Sequence, residues 1–307
     1  MSSIFNRLSF PWNSTAFSLA IAGGGCKAFY GLGAGLSFRK WGLNLSEISG
    51  VSAGAAMALC ILSEREEESI TYFEELARRN SKNFRFLNLF KGLSPFPHEN
   101  ITRRSIRYSL DLKKIKESSV KVFIGAVKAK PIHKLNGIKT SVSRLISRTM
   151  QAYIQDERDK QKGRIPNRVQ SIFDEWNLEN IVYSEKDLVE SKTVEQILLN
   201  SSSVPPVVSL QRKNDEFFLD GGLTNNLLLE YFSSSLPKIG IYYEDNTIVG
   251  KSESVLKNTF LFKPSRPLSI SAFDYTNPIG VRATFELGKQ DAEERKEEIL
   301  DFIEKVR

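Results

Sequence analysis

Cysteine and histidine are scarce in this 307-residue chain, with two of each. Cys26 and Cys60 stand in no Cys-x-x-Cys or Cys/His cluster, which excludes a disulfide scaffold and a metal framework and fits a reducing compartment. Long apolar runs are missing too. Phe17–Ala22 is far too short to cross a bilayer, and Met1–Pro11 lacks the apolar stretch of a secretory signal. The expected location is therefore the cytoplasm or a membrane periphery, although export without a signal leaves no mark to read. No internal repeat is found. With 41% apolar residues, the chain is predicted to fold as a single domain over 1–307. Its core is expected at about 15–270, a basic cap-like insertion at about 135–180 and a C-terminal helix at about 281–307.

The formal charge of +7 is unevenly spread. Between Ile101 and Gln170 stand 18 Lys and Arg against 5 Asp and Glu, so this segment carries +13 and the rest of the chain −6. Such a segment is either a solvated basic face or a surface that meets phosphate groups of an anionic membrane. Few aromatics interleave with the cations and no nucleic-acid motif is present, so no nucleic-acid partner is expected.

Phe17–Ala22 reads as a buried strand that enters a glycine turn, followed by a helix over Lys27–Trp41 whose small residues suggest close packing on a sheet. Asn44–Ser49 is a second strand. Ala55–Leu62 is a buried helix and Glu64–Arg79 an amphipathic one. Lys121–Val127 is a third core strand. Arg144–Trp176 is polar, basic and helical, interrupted at Pro166, and is the candidate cap. Val194–Asn200 is a short helix that ends in the breaker cluster Ser201–Pro206; Glu216–Leu219 and Lys238–Tyr243 are strands, and Glu286–Lys305 closes the chain as a helix. The alternation predicts an α/β fold with a mostly parallel central sheet flanked by helices.

Three constellations carry chemistry. Gly50-Val-Ser52-Ala-Gly54 matches the G-x-S-x-G elbow, in which small flanking residues permit a sharp strand-to-helix turn that exposes the serine; a serine-capped helix start is the alternative. The histidine shortage decides between mechanisms. A Ser–acid–His order cannot be completed after residue 133, and His98 and His133 stand in loop-like, proline-flanked settings that suit surface or packing roles. Asp220, at the end of an apolar strand and before Gly221 and Gly222, is then the candidate base, able to accept the serine proton directly; Asp-Gly is equally a hairpin signal. The run Gly23-Gly24-Gly25-Cys26-Lys27 can point consecutive backbone amides at one anion, either the oxyanion of an acyl-transfer intermediate or the phosphates of a dinucleotide. Against the dinucleotide, no acid ends a second strand, Glu47 lying inside one.

Taken in this order, the three elements resemble the patatin-like phospholipase family, whose pattern is a GGGxKG or GGGxRG loop, a GxSxG elbow about two dozen residues later and a distant DGG or DGA. The counterparts here are Gly23–Ala28, Gly50–Gly54 and Asp220–Gly222, with Ser201–Pro206 similar to the family's small-residue and proline segment. The resemblance covers Phe17–Lys82 and Val194–Tyr243 and implies a three-layer patatin-like fold. It also implies a serine carboxylic-ester hydrolase acting on fatty acyl esters of phospholipids, lysophospholipids or neutral lipids, without metal or cofactor. Ser52 becomes the nucleophile and Asp220 the proton acceptor. The amides of Gly23, Gly24, Gly25 and Cys26 become the oxyanion hole, with Lys27, Gly50, Gly54, Gly221 and Gly222 supporting the motifs. Ala28 departs from the family's last loop glycine; a methyl there could re-aim the amides. The alternative is a catalytically weak lipid- or partner-binding member of the fold. Head group, acyl position and any protein or nucleotide activator are not written in the motifs.

Overall fold

The computed structural model describes residues 15–91, 94–129, 134–135, 138–139, 142–162, 164, 168–176, 178–214, 216–248 and 250–306. The first half comprises β1 (Ala16–Ile21), α1 (Phe29–Lys40), β2 (Asn44–Val51), α2 (Ala53–Leu62), α3 (Glu66–Arg79), α4 (His98–Ser109), α5 (Leu112–Glu117) and β3 (Lys121–Ala129). Two-residue strands β4 (Lys134–Leu135) and β5 (Ile138–Lys139), then α6 (Val142–Gln161), α7 (Arg168–Trp176), β6 (Glu179–Ser184) and α8 (Ser191–Ser201) follow. The last part holds β7 (Gln211–Lys213), β8 (Glu216–Asp220), β9 (Lys238–Ile241), α9 (Glu253–Leu256), β10 (Thr259–Phe262), α10 (Pro278–Glu294) and α11 (Lys296–Lys305).

An eight-stranded sheet forms the middle layer. Strands β10, β9, β1, β2 and β3 run parallel in that spatial order, while β6, β8 and β7 are antiparallel to their neighbours. Nearly all of β1 and all of β9 are buried, as expected of parallel strands covered by helices on both faces, which is why they read as continuous apolar runs. Helices α1, α2, α3 and α10 share one core with the sheet around Phe17, Leu32, Ile48, Leu59 and Phe285. The Tyr30 hydroxyl donates to Asp291 at 2.9 Å and so ties α1 to α10.

Strand β3 carries three partners, and its register determines the layout of the site. Against β2 it pairs residues 121–125, against β8 residues 126–129, and against β6 residues 123–128. Because β6 overlaps both of the others, β2 and β8 must share the opposite edge, end to end. Val51 lies opposite Gly125 and Asp220 opposite Ala126, so the chain termini of two strands from distant parts of the sequence meet over two adjacent residues. The junction is tight. A Cβ on Gly221 would lie 2.6 Å from the Gly125 carbonyl oxygen.

Several expectations need amending. The closing helix is two helices that start earlier, with Asn277 capping α10 and Arg295, at φ −104° and ψ 15°, breaking the path into α11. His98 opens α4 rather than lying in a loop. Helices α6 and α7 pack on each other and bury Ala152, Val169 and Ile172 against Val127, Phe217 and Leu219, a small separate core at the far ends of β3 and β8. Pro166, His133 and the middle of the proposed cap lie outside the described residues. No described helix is long and apolar enough to cross a membrane.

A methyl group at Gly221 has only main chain to displace. Gly221→Ala is expected to lower stability by about 1–3 kcal/mol, read as a shift of the urea midpoint, and an unchanged midpoint would refute the close junction.

Candidate active site

Ser52 stands alone between β2 and α2, at φ 55° and ψ −129°. A non-glycine residue held there carries strain of about 1–3 kcal/mol. Its surroundings hold it: the Ser52 amide donates to Ser201 Oγ at 2.8 Å, and that hydroxyl donates to the Gly125 carbonyl at 2.6 Å. The glycines of the elbow are sterically required, since a Cβ on Gly50 would lie 2.5 Å from the Ala55 nitrogen and one on Gly54 2.3 Å from the Ile21 oxygen. This is the strand–turn–helix context expected of a nucleophile elbow, and the Ser52 side chain makes no capping hydrogen bond to α2.

Asp220 ends β8 and is only 6% exposed. Its main-chain amide donates to the Ser203 carbonyl at 3.0 Å, and its carboxylate accepts the Gly222 amide at 2.7 Å. The Ser52 hydroxyl lies near enough to the carboxylate to oppose the rise of its pKa. Burial pushes the carboxyl up from 3.8 to about 6, against the opposing effect of the Ser52 hydroxyl and the Gly222 amide. The Asp-Gly pair makes no hairpin: Gly221–Leu223 is a short 3-10 turn, and β9, the next strand, pairs with β1 and β10 instead. His98 is buried, and its Nε2 bonds the Phe273 carbonyl at 2.8 Å, with the ring packed on Tyr275; desolvation lowers its pKa. It is a packing histidine.

The glycine loop lies against the elbow, for a Cβ on Gly23 would come within 3.1 Å of Ser52 Cβ. Its four expected donors are not equivalent. Gly23 N donates to Asn226 Oδ1 at 2.9 Å while Asn226 Nδ2 returns a bond to Gly23 O at 3.2 Å, and Cys26 N donates to Ala272 O at 2.9 Å. Those two amides are therefore engaged within the fold. The amides of Gly24 and Gly25 have no acceptor among the described residues. Gly25, at φ 56°, must be glycine, as a Cβ would fall 1.9 Å from Ala272 O. Lys27 reaches away to an ion pair with Glu244. Ala28 has φ −66° and ψ −15°, ordinary helical values, so its methyl introduces no backbone strain. Glu47 is buried, accepting bonds from Ser18 Oγ and the Ser233 amide, and is not available to a ribose.

Ser201 and Asn226 are positioning residues that motif reading misses. The first lies in the small-residue segment before the aspartate, a usable signal; the second carries none.

Beside Ser52 lies a narrow, mostly apolar cavity lined by Gly25, Phe29, Met57, Ile106, Leu198 and Phe273. One wall is α4. No described residue of the 135–180 segment lines this cavity. Several cations of residues 101–170 are paired within the fold. Arg103 and Arg107 clasp Glu195, Lys114 pairs with Glu64, Lys128 with Glu179 and Glu216, Arg148 with Glu175, and Arg168 with Asp156 and Asp159.

A family model described as patatin-like phospholipase matches residues 19–233. Among solved structures, the crystal structure of VipD from Legionella pneumophila is similar at 14% identity, with 91% of this chain and 67% of that one covered and a TM-score of 0.38. No curated protein matches the chain.

The raised pKa of Asp220 has a sign for stability. The folded state holds the proton more tightly than the unfolded one, so ionisation costs nothing below pH 3.8 and its full amount above about 6. At ~1.4 kcal/mol per decade, that cost is on the order of 3 kcal/mol. Asp220→Asn, which keeps the acceptor for Gly222, is expected to be more stable than wild type at pH 8, with the gain shrinking towards pH 4; chemical denaturation at both pH values checks it.

Proposed function

We propose that this chain, which belongs to the patatin-like phospholipase family, hydrolyses fatty acyl esters of membrane lipids as a phospholipase A or lysophospholipase, with Ser52 as nucleophile and Asp220 as base. The observation that carries this reading is the junction on β3, where a strained serine and a dry carboxylate face each other beside two unengaged amides.

The steps follow from those groups. Ser52 Oγ attacks the ester carbonyl carbon as its proton passes to Asp220. The carbonyl oxygen becomes an oxyanion, and the amides of Gly24 and Gly25 are the donors aimed at it. Collapse breaks the bond to the lipid alcohol, which leaves with the proton from Asp220. Water then attacks the acyl-enzyme, gives its proton to Asp220, and Ser52 recovers it as the fatty acid departs. A carboxylate near pKa 6 suits this task better than one near 4, because it is a stronger base yet ionised at neutral pH. The apolar cavity accommodates the acyl chain.

Ser52→Ala and Asp220→Asn are each expected to cut fatty acid release from phospholipid by at least about a thousandfold, and only Ser52-containing protein should react with a fluorophosphonate. Because the ionised base is the active form, kcat/KM is expected to rise with pH through about 6 and then level. A serine that resists the probe would leave a lipid-binding protein without turnover.

A further inference from the structure

Outside the cavity beside Ser52 stands a group of exposed apolar side chains that the reaction does not use. Phe84 is 45% exposed, Phe86 58%, Leu87 71% and Phe90 77%, all within the loop and 3-10 turn (Phe86–Lys91) that precede α4. A row of rings links Phe84 to the lining of the cavity. The ring of Phe84 packs on Phe96 at 5.3 Å between centroids, Phe96 lies 6.1 Å from His98, and His98 lies 6.2 Å from Phe273. Phe273 is itself 44% exposed and lines the cavity.

This projection is preformed. Asn83 donates to Asp274 Oδ1 at 3.1 Å and accepts the Tyr275 amide at 2.9 Å, Asn80 donates to the Tyr275 carbonyl at 3.0 Å, and the Arg85 amide donates to Pro95 O at 2.8 Å. The aromatic tip is thus tied through residues 80–85 to the loop that forms the cavity's rim. Its charge is one-sided: from Asn80 to His98 the chain holds Lys82, Arg85 and Lys91 and no acid. All three cations are exposed. By contrast, Arg103, Arg107, Lys114, Lys128, Arg148 and Arg168 of the 101–170 segment are paired within the fold.

We propose that the projection of Phe84, Phe86, Leu87 and Phe90 is the surface by which the protein enters a lipid bilayer, so that an acyl chain passes along Phe273 into the cavity without crossing water. Apolar tips ringed by cations match the layering of a bilayer, acyl chains below and phosphates above. A protein partner would not account for the row of rings that links the exposed cluster to the lining of the cavity. The inference rests on the hydrolase reading for its purpose, but binding can be measured without turnover.

The test uses the full chain with Phe86→Ser and Phe90→Ser together, neither residue lining the cavity. Co-sedimentation with vesicles of equimolar phosphatidylcholine and phosphatidylglycerol is measured for wild type, the double variant and Ser52→Ala, beside hydrolysis of the same vesicles and of a water-soluble short-chain p-nitrophenyl ester. The expected result is a fall in vesicle binding and vesicle hydrolysis of about tenfold or more in the double variant. Its soluble-ester rate should stay within about twofold, and Ser52→Ala should bind vesicles like wild type. Undiminished vesicle binding by the double variant overturns the proposal. So does a wild-type dimer that the double variant converts to monomer in gel filtration, which would assign the cluster to a second copy. If wild type binds vesicles through these residues yet cleaves neither substrate, the hydrolase reading fails and the membrane surface stands. Phe86→Leu with Phe90→Leu, expected to retain binding, separates lost insertion from a folding defect.

Discussion

The meeting of β2 and β8, end to end along one edge of β3, is the constraint on which the rest of the site depends. Two strands separated by more than half the chain are brought to a common line by hydrogen-bond register, not by loops. Their last residues face Gly125 and Ala126. Small residues then seal the joint: Gly221 lies on the Gly125 carbonyl, and Ser201 bridges that carbonyl to the Ser52 amide. Strain at Ser52 is sustained because a ladder on one side and a buried helix on the other over-determine its conformation.

The same joint sets the electrostatics. A carboxylate that accepts several strong donors in a wet site is a poor base; one buried with two donors is a better one, at a cost to stability. Asp220 is of the second kind, and its high pKa arises chiefly from exclusion of water. No histidine is needed to relay the proton when the acid itself is basic enough. Restraint in hydrogen bonding is also visible in the glycine loop, where Asn226 and Ala272 engage the outer amides and leave the inner pair. Loop shape is maintained by the amides that are satisfied, and chemistry is open to those that are not.

Much of this was legible in the sequence, and the gaps have physical causes. Strand β1 announced itself because a parallel strand covered on both faces carries a nearly continuous apolar run, and the elbow because its glycines are sterically compelled. Strand β6, Glu-Asn-Ile-Val-Tyr-Ser, carries too little apolar pattern to be read alone; it becomes a strand because β3 offers it an edge. Helix α4 was hidden by the prolines before His98, which look like loop yet serve as its approach. Which loop amides stay unengaged depends on partners some two hundred residues away, Asn226 and Ala272, and no residue type reveals that. The charge count likewise says nothing of pairing. Its cations were real, but Glu64, Glu179, Glu195 and Glu216, outside the counted window, neutralise several of them.

Strand β3 has one more property. The chain leaves it after Ala129 and returns to its free edge as β6 at Glu179, so everything between is an excursion whose two ends are pinned to the same strand. Closing a longer or shorter excursion of this kind changes the loop entropy only slowly with length. The segment's length can therefore vary while the register that joins Ser52 to Asp220 stays as it is, provided that Ala152, Val169 and Ile172 keep their packing on Val127, Phe217 and Leu219. In this architecture variation in length is channelled into a side branch.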